Sequence, residues 1–367
     1  MDTLSLADFH YHLPDELIAQ QPLADRSASR LLVHQADGTL DHRRFQELPD
    51  ILPRGTRLVF NDTRVLPSRL EARTAHGGRI ELMLLQPLDA SGNRWQALGR
   101  PFRKLNPGTR LTLEGACEAT IEAKHESGAQ PSLEVSFNLP YEEFLSWMEA
   151  AGYIPLPPYI TRKEPLKAPE SLDRERYQTI YAREKGSVAA PTAGLHFNNA
   201  IWDALKAAGI IPVPITLHVG GGTFLPVKTQ DITAHTMHSE RYRVSRESWT
   251  QIQEARHSGH PLVVVGTTSL RCLESFARRV VAETEDHLLD RWLETSLFLY
   301  PKHKHDRIRP WGVQGIITNF HQPESSLLML VASLIGYEAM RSLYVNAVEE
   351  RYRFLSYGDA SLLWLPK

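Results

Sequence analysis

The chain has 367 residues, of which 42% are hydrophobic and 23% charged, and its formal net charge at pH 7 is −2. That length allows about two domains with cores of their own, and the composition is that of a folded protein, which excludes a disordered or fibrous chain. A charge this close to zero excludes a globally basic nucleic-acid binder, so any polyanion has to meet a local patch.

Cys117 and Cys272, the two cysteines, lie far apart and form no C-x-x-C pair. Neither a disulfide framework nor a thiolate zinc site is expected, and a reducing cytoplasm fits. Residues 1–20 carry Asp2, Asp8, Asp15 and Glu16 and lack a basic head followed by an apolar run, so no secretory signal is read. No unbroken apolar run reaches the roughly 20 residues of a membrane-spanning helix. A soluble protein without a membrane partner is expected.

In chain order, residues 1–55 combine a helix-like stretch at 14–20 with a strand at 31–34 that ends in the turn residues Asp37-Gly38. Short strands follow at 57–61, 69–74, 79–86, 94–98, 110–113, 118–124 and 133–137, separated by Gly, Asn, Pro and Ser turns. Such spacing suggests a small barrel or sandwich. From residue 141 the pattern alternates: helices at 141–150, 174–183, 199–208, 246–258 and 270–285, strands at 211–219, 262–265, 296–299 and 315–318, and a proline-rich extended connector at 155–162. The expected fold is α+β: an α/β domain with a mostly buried sheet, residues 1–61 and 141–367, interrupted by an inserted β-barrel-like domain at 62–140.

Several strand-to-loop junctions carry chemistry-bearing residues. The strand at 262–265 runs into Gly266-Thr267-Thr268-Ser269 and a helix, which supplies backbone N–H groups and hydroxyls suited to ribose or a carboxylate. The Gly-Lys-Ser/Thr ending of a P-loop is missing, and an ordinary helix cap is the alternative. The strand at 211–219 leads into Gly220-Gly221-Gly222-Thr223, where a ligand can approach the backbone or the chain can simply turn. His196 sits beside Gly194 and Leu195, and His321 follows Asn319-Phe320; each is a candidate for proton transfer or for a hydrogen-bonded place in the core. His235, His238 and Glu240 suggest H-x-x-H, but the zincin pattern and a third ligand are missing, so no metal is expected.

No acid occurs between Gly92 and Leu113, while Arg94, Arg100, Arg103, Lys104 and Arg110 interleave with Trp95 and Phe102. Cations meet phosphates and rings stack on unpaired bases, so this segment is a candidate contact for single-stranded RNA, against the alternative of a solvated strand face. The run Lys302-His303-Lys304-His305, with Arg307 and Arg309, is a second basic candidate.

Taken together, these segments resemble the S-adenosylmethionine:tRNA ribosyltransferase-isomerases of queuosine biosynthesis. The resemblance rests on Val59-Phe60-Asn61-Asp62-Thr63-Arg64-Val65-Leu66-Pro67, Leu156-Pro157-Pro158-Tyr159-Ile160, and Asp173-Arg174-Glu175-Arg176-Tyr177-Gln178-Thr179. It continues through residues 189–197 and 217–224, His238-Ser239-Glu240, and 266–269 with Arg271. It closes with Ile317-Thr318-Asn319-Phe320-His321 and residues 352–360, and so covers almost the whole chain. His10 and His12, Gln322 and the 302–305 run depart from the pattern.

The resemblance implies that S-adenosylmethionine is consumed as a ribosyl donor and that no cofactor is needed. The acceptor would be 7-aminomethyl-7-deazaguanine at the wobble position of tRNA, and the products epoxyqueuosine in tRNA, adenine and methionine. It names Asp62, His196, His238, Glu240 and His321 as candidate catalytic groups. Arg64, Arg176, Thr192, Gly220, Gly221, Gly222, Thr223, Thr267, Thr268, Ser269, Arg271 and Asn319 become candidate substrate contacts, in a cytoplasmic, monomeric enzyme. Two other readings stand beside it: an S-adenosylmethionine-dependent RNA methyltransferase, whose glycine-rich loop after the first strand is not evident, and a non-catalytic RNA-binding module.

Overall fold

The computed structural model describes residues 4–89, 91–126, 131–162, 171–221 and 229–366. The fold is α+β, and the chain divides into two compact units. The first comprises Met1–Thr63, Thr179–Glu184 and Pro191–Lys367; the second comprises Arg64–Gln178 and Lys185–Ala190.

A nine-stranded mixed sheet forms the first unit, in the order Leu293–Thr295, Glu240–Arg243, Ile211–Leu217, Arg57–Asn61, Leu262–Val265, Val313–Asn319, Ala360–Trp364, Arg30–His34, Leu40–Arg44. Its central strand, Leu262–Val265, is four apolar residues buried on both faces, the pattern of a strand covered from both sides. This strand pairs parallel with Arg57–Asn61 and Val313–Asn319, and Arg57–Asn61 pairs parallel with Ile211–Leu217. Four strands therefore end along one edge of the sheet.

The flanking strands begin at that same edge. Glu240–Arg243 runs antiparallel to Ile211–Leu217, Ala360–Trp364 runs antiparallel to Val313–Asn319, and Arg30–His34 runs parallel to Ala360–Trp364. Residues that follow the four parallel strands and residues that open these three are thus neighbours by topology. Helices cover the sheet, and their starts are legible: Asn198, Ser245 and Ser325 each cap a helix by accepting a hydrogen bond from the backbone N–H three residues on. Helix Asn199–Ala207 adds Ile201 and Leu205, four residues apart, to a core with Leu31, Phe60, Phe197, Val263 and Leu362. No single helix among the described residues is long and apolar enough to cross a membrane.

The second unit holds a closed six-stranded antiparallel barrel in the order Ser132–Phe137, Arg94–Arg100, Arg79–Pro87, Arg69–Thr74, Arg110–Thr112, Glu118–His125. Alternation sets its inside and outside: along Arg94–Arg100, Trp95, Ala97 and Gly99 are buried and their neighbours are not. This unit extends beyond residue 140 because helix Tyr141–Ala151 buries Phe144, Leu145 and Met148 in the barrel's own core.

Three expected elements differ. In place of a helix at 14–20 there is one 3₁₀ turn, Asp15–Leu17; the Leu17 carbonyl accepts from the Phe354 N–H and the Ala19 N–H donates to the Phe354 carbonyl, so the backbone is spent on a distant segment. The helix at 174–183 is Ser171–Arg176 and stops there. Beyond it the N–H groups of Arg183 and Glu184 both donate to the Asp62 carbonyl, at 2.7 and 3.1 Å. The strand expected at 296–299 lies at Leu293–Thr295, where it pairs with Glu240–Arg243.

Candidate active site

Asp62 follows the strand Arg57–Asn61 and is 3% exposed. The Thr216 hydroxyl donates to its Oδ1 at 2.7 Å, and an Arg183 guanidinium nitrogen lies 3.1 Å from Oδ2. Burial raises the carboxyl pKa, while the Thr216 hydrogen bond and the Arg183 and Arg243 charges oppose the rise. The next residue, Thr63, places its hydroxyl 2.8 Å from Nδ1 of His218. His218 stacks on Trp292 with ring centroids 4.5 Å apart, and burial with the charges of Arg241 and Arg243 lowers its pKa to about 4.

Beside this pair, Glu240 opens its strand and is engaged at both oxygens. Oε1 accepts from the Gly220 N–H at 3.1 Å and Oε2 from Arg271 Nη1 at 2.5 Å. Arg271 also donates through Nε to the Leu297 carbonyl, and its buried Nη2 has no partner among the described residues. Gly221 is buried; Gly222 and Thr223 lie outside the described residues.

The helix that follows Leu262–Val265 starts earlier than its periodicity suggests, at Thr267, after Gly266 at φ +88°. The first N–H groups of an α-helix have no acceptor within the helix, and Gly266 brings no capping side chain, so the positive end of a sixteen-residue helix lies at the sheet edge. The Ser269 hydroxyl is used locally, donating to the Val265 carbonyl at 2.6 Å. A Cβ at Gly266 would stand 3.6 Å from that of Ala193, which puts the turn Thr192–His196 alongside.

His196 is 4% exposed and stacks on Phe45. Both its ring nitrogens are engaged, Nδ1 with the Ser29 hydroxyl at 2.8 Å and Nε2 with Asn319 Nδ2 at 3.1 Å. Burial, with help from the Arg353 and Arg26 charges, lowers its pKa to about 3. Asn319 ends its strand and also donates to the Leu355 carbonyl at 3.1 Å, while its Oδ1 is buried without a partner among the described residues. Leu355 is held at φ +70°, a conformation that costs a bulky residue on the order of 1–3 kcal/mol. His321, also lowered to about 3 by burial, keeps Nε2 within 3.0 Å of the Thr318 hydroxyl. Its N–H donates to the Tyr344 hydroxyl, and its carbonyl accepts from that of Tyr11.

One edge of the first unit thus brings together Asp62, Thr192, His196, Gly220, Gly221, Glu240, Thr267, Thr268, Ser269, Arg271, Asn319 and His321. His238 is exposed in the loop before Glu240. Arg64 and Arg176 belong to the second unit, where Arg64 lies 3.5 Å from Glu149. In the barrel, Arg94 is ion-paired to Glu134, whereas Arg100, Arg103 and Lys104 are exposed and make no ion pair among the described residues. Among the described residues no three His, Cys, Asp or Glu side chains are grouped to hold a metal ion. Sequence reasoning missed Thr216, Arg183, His218, Trp292 and Ser29. His218, two residues before the glycine run, and Ser29, at the start of the stretch Ser29-Arg30-Leu31-Leu32, left a signal in the sequence.

A family model described as "Queuosine biosynthesis protein" matches residues 6–363. A protein of an Anaeromyxobacter species named S-adenosylmethionine:tRNA ribosyltransferase-isomerase is 46% identical over 362 residues, 98% of this chain and 99% of the relative. One of the same name from Acidithiobacillus ferrooxidans is 46% identical, covering 97% of each chain. The crystal structure of an S-adenosylmethionine tRNA ribosyltransferase from Thermotoga maritima superposes with a TM-score of 0.51 at 31% identity, over 97% of this chain and 99% of that one.

Proposed function

The chain belongs to the queuosine-biosynthesis family of S-adenosylmethionine:tRNA ribosyltransferase-isomerases, and from that premise we propose how its sheet edge acts. The protein is a transferase and isomerase that moves the ribosyl group of S-adenosylmethionine, consumed as a substrate, onto tRNA. The accepting base in this reading is 7-aminomethyl-7-deazaguanine at the wobble position, and the enzyme works as a cytoplasmic monomer that releases adenine and methionine.

The chemistry makes distinct demands. The sulfonium acidifies the neighbouring 5′ C–H bonds, so a base there generates an ylide; adenine takes a proton as it leaves; the aminomethyl group attacks as the neutral amine. The observation that carries the residue assignment is the Asp62 carboxylate, buried at the carboxyl edge of the parallel strands and held by Thr216 and Arg183. Desolvation raises its basicity while the two donors oppose the rise by favouring the ionised form, which suits a general base for the 5′ C–H.

Around it, the N–H groups of Thr267, Thr268 and Ser269 suit the methionine carboxylate. Glu240 keeps Arg271 fixed, with one guanidinium nitrogen without a partner among the described residues. The exposed barrel cations Arg100, Arg103 and Lys104 suit the tRNA backbone.

The test is product analysis with S-adenosylmethionine and tRNA carrying the precursor base. Adenine and methionine in equal amounts support the reading. S-adenosylhomocysteine would make the protein a methyltransferase, and binding without turnover would make it a module.

A further inference from the structure

Features of the first unit converge on Asn319. Its side-chain nitrogen lies 3.1 Å from the Leu355 carbonyl, which only accepts, and this decides which end of the amide is the NH₂. The same nitrogen lies 3.1 Å from Nε2 of His196. That ring nitrogen must therefore accept, the imidazole proton sits on Nδ1, and Nδ1 donates to the Ser29 hydroxyl at 2.8 Å. Both amide hydrogens are committed, and Oδ1 remains a buried acceptor without a partner among the described residues, on a residue 3% exposed.

The supporting groups are themselves constrained. Leu355 is in the left-handed region at φ +70°, and its N–H donates to the Phe320 carbonyl at 3.1 Å. The His196 ring is stacked on Phe45, with centroids 5.0 Å apart. Two costly arrangements, a left-handed leucine and a bare buried acceptor, thus meet at the end of one strand. A carboxylate or phosphate cannot satisfy Oδ1, since both are acceptors; an N–H or O–H donor can.

Asn319 ends a parallel strand of an open sheet, the edge at which nucleoside ligands lie in such sheets. Resting on the reading above, we infer that Asn319 Oδ1 accepts a hydrogen bond from the nucleoside part of S-adenosylmethionine, and that His196 is a positioning residue that holds the amide in this orientation. The donor is a ribose hydroxyl or the adenine amino group. His196 stays neutral in this role, in keeping with the burial that lowers its pKa to about 3.

The test is a cycle between enzyme and substrate. kcat/KM is measured for the wild type, Asn319→Ala and His196→Gln with S-adenosylmethionine and three analogues: 2′-deoxy, 3′-deoxy, and one with the adenine amino group replaced by hydrogen. One analogue should lower the wild-type value by about tenfold or more and that of Asn319→Ala by less than about threefold. His196→Gln should lose the same discrimination while both limbs of its pH–rate profile stay in place.

Equal penalties in wild type and Asn319→Ala for every analogue, as expected if a buried water meets Oδ1, would overturn the inference. So would disappearance of a pH limb in His196→Gln, which marks proton transfer. Melting curves on each preparation report folding, and Asn319→Ser carries the same cycle should Asn319→Ala not fold. A wild type that releases no adenine from S-adenosylmethionine would instead sink the functional reading beneath it.

Discussion

Glu240 and Arg271 form an ion pair at 2.5 Å in which both side chains are only 3% exposed. The same carboxylate takes the Gly220 N–H, so one pair ties the start of a strand, a helix and the glycine turn together. Removing one partner of a buried pair strands the other charge, at a cost of about 3–5 kcal/mol. Glu240→Ala is therefore expected to lower the chemical-denaturation stability by that amount, and Glu240→Leu with Arg271→Met to recover much of it while activity stays low. Equilibrium urea curves on the three proteins check this; an unchanged midpoint in Glu240→Ala would contradict it.

Asp62 as general base predicts a directed pH shift. Asp62→Asn should lower kcat by about a hundredfold or more. Thr216→Val removes a donor that stabilises the carboxylate, so the Asp62 pKa rises further and the acid limb of kcat/KM moves to higher pH. A limb that moves to lower pH, or stays put, would remove Asp62 from that role.

How much of this was legible in the chain differs by element. The run Leu262–Val265 announces a buried parallel strand by its residues alone, and the alternation along Arg94–Arg100 announces a barrel wall. The partners of Asp62 and His196 do not announce themselves: Thr216 lies 154 residues from Asp62, and Ser29 lies 167 residues from His196. Local periodicity carries no record of such pairings. It also overran the helix at Ser171–Arg176, whereas the N–H groups of Arg183 and Glu184, at the end of the expected span, go to the Asp62 carbonyl.

On the barrel unit, Arg100 and Arg103 are exposed and make no ion pair among the described residues, while Arg94 is already neutralised by Glu134. Arg100→Glu with Arg103→Glu should weaken tRNA binding and flatten the plot of log K against log salt by about 0.7 for each phosphate that is no longer neutralised. Arg94→Gln should change that slope little. Filter binding at several salt concentrations decides it, and equal slopes for wild type and the double variant would show the segment to be a solvated face.

Three histidines whose pKa values are strongly lowered set an acid limit on stability. Burial lowers the pKa values of His196 and His321 to about 3 and of His218 to about 4, below the unfolded value of about 6.5. Their contribution is present above that unfolded value and is lost as pH falls toward the folded values, because the unfolded chain binds the protons. The raised carboxyls of Asp62 and Asp359 act in the opposite sense at the acid end. Melting temperature should thus be level above about pH 7 and decline below about pH 6, with a shallower decline in His196→Gln. A melting temperature that rises on acidification through this range would refute the assignment of neutral histidines.

At the centre of the mechanism, the sulfonium donor gives up its ribosyl carbons and not its methyl group. The measurement that meets this most directly is the fate of label in tRNA carrying the precursor base, with S-adenosylmethionine labelled either in the ribose or in the methyl. Ribose label is expected in the tRNA, none from the methyl, and one adenine released per ribosyl group transferred. Methyl label in the tRNA, with the ribose label left in S-adenosylhomocysteine, would contradict it.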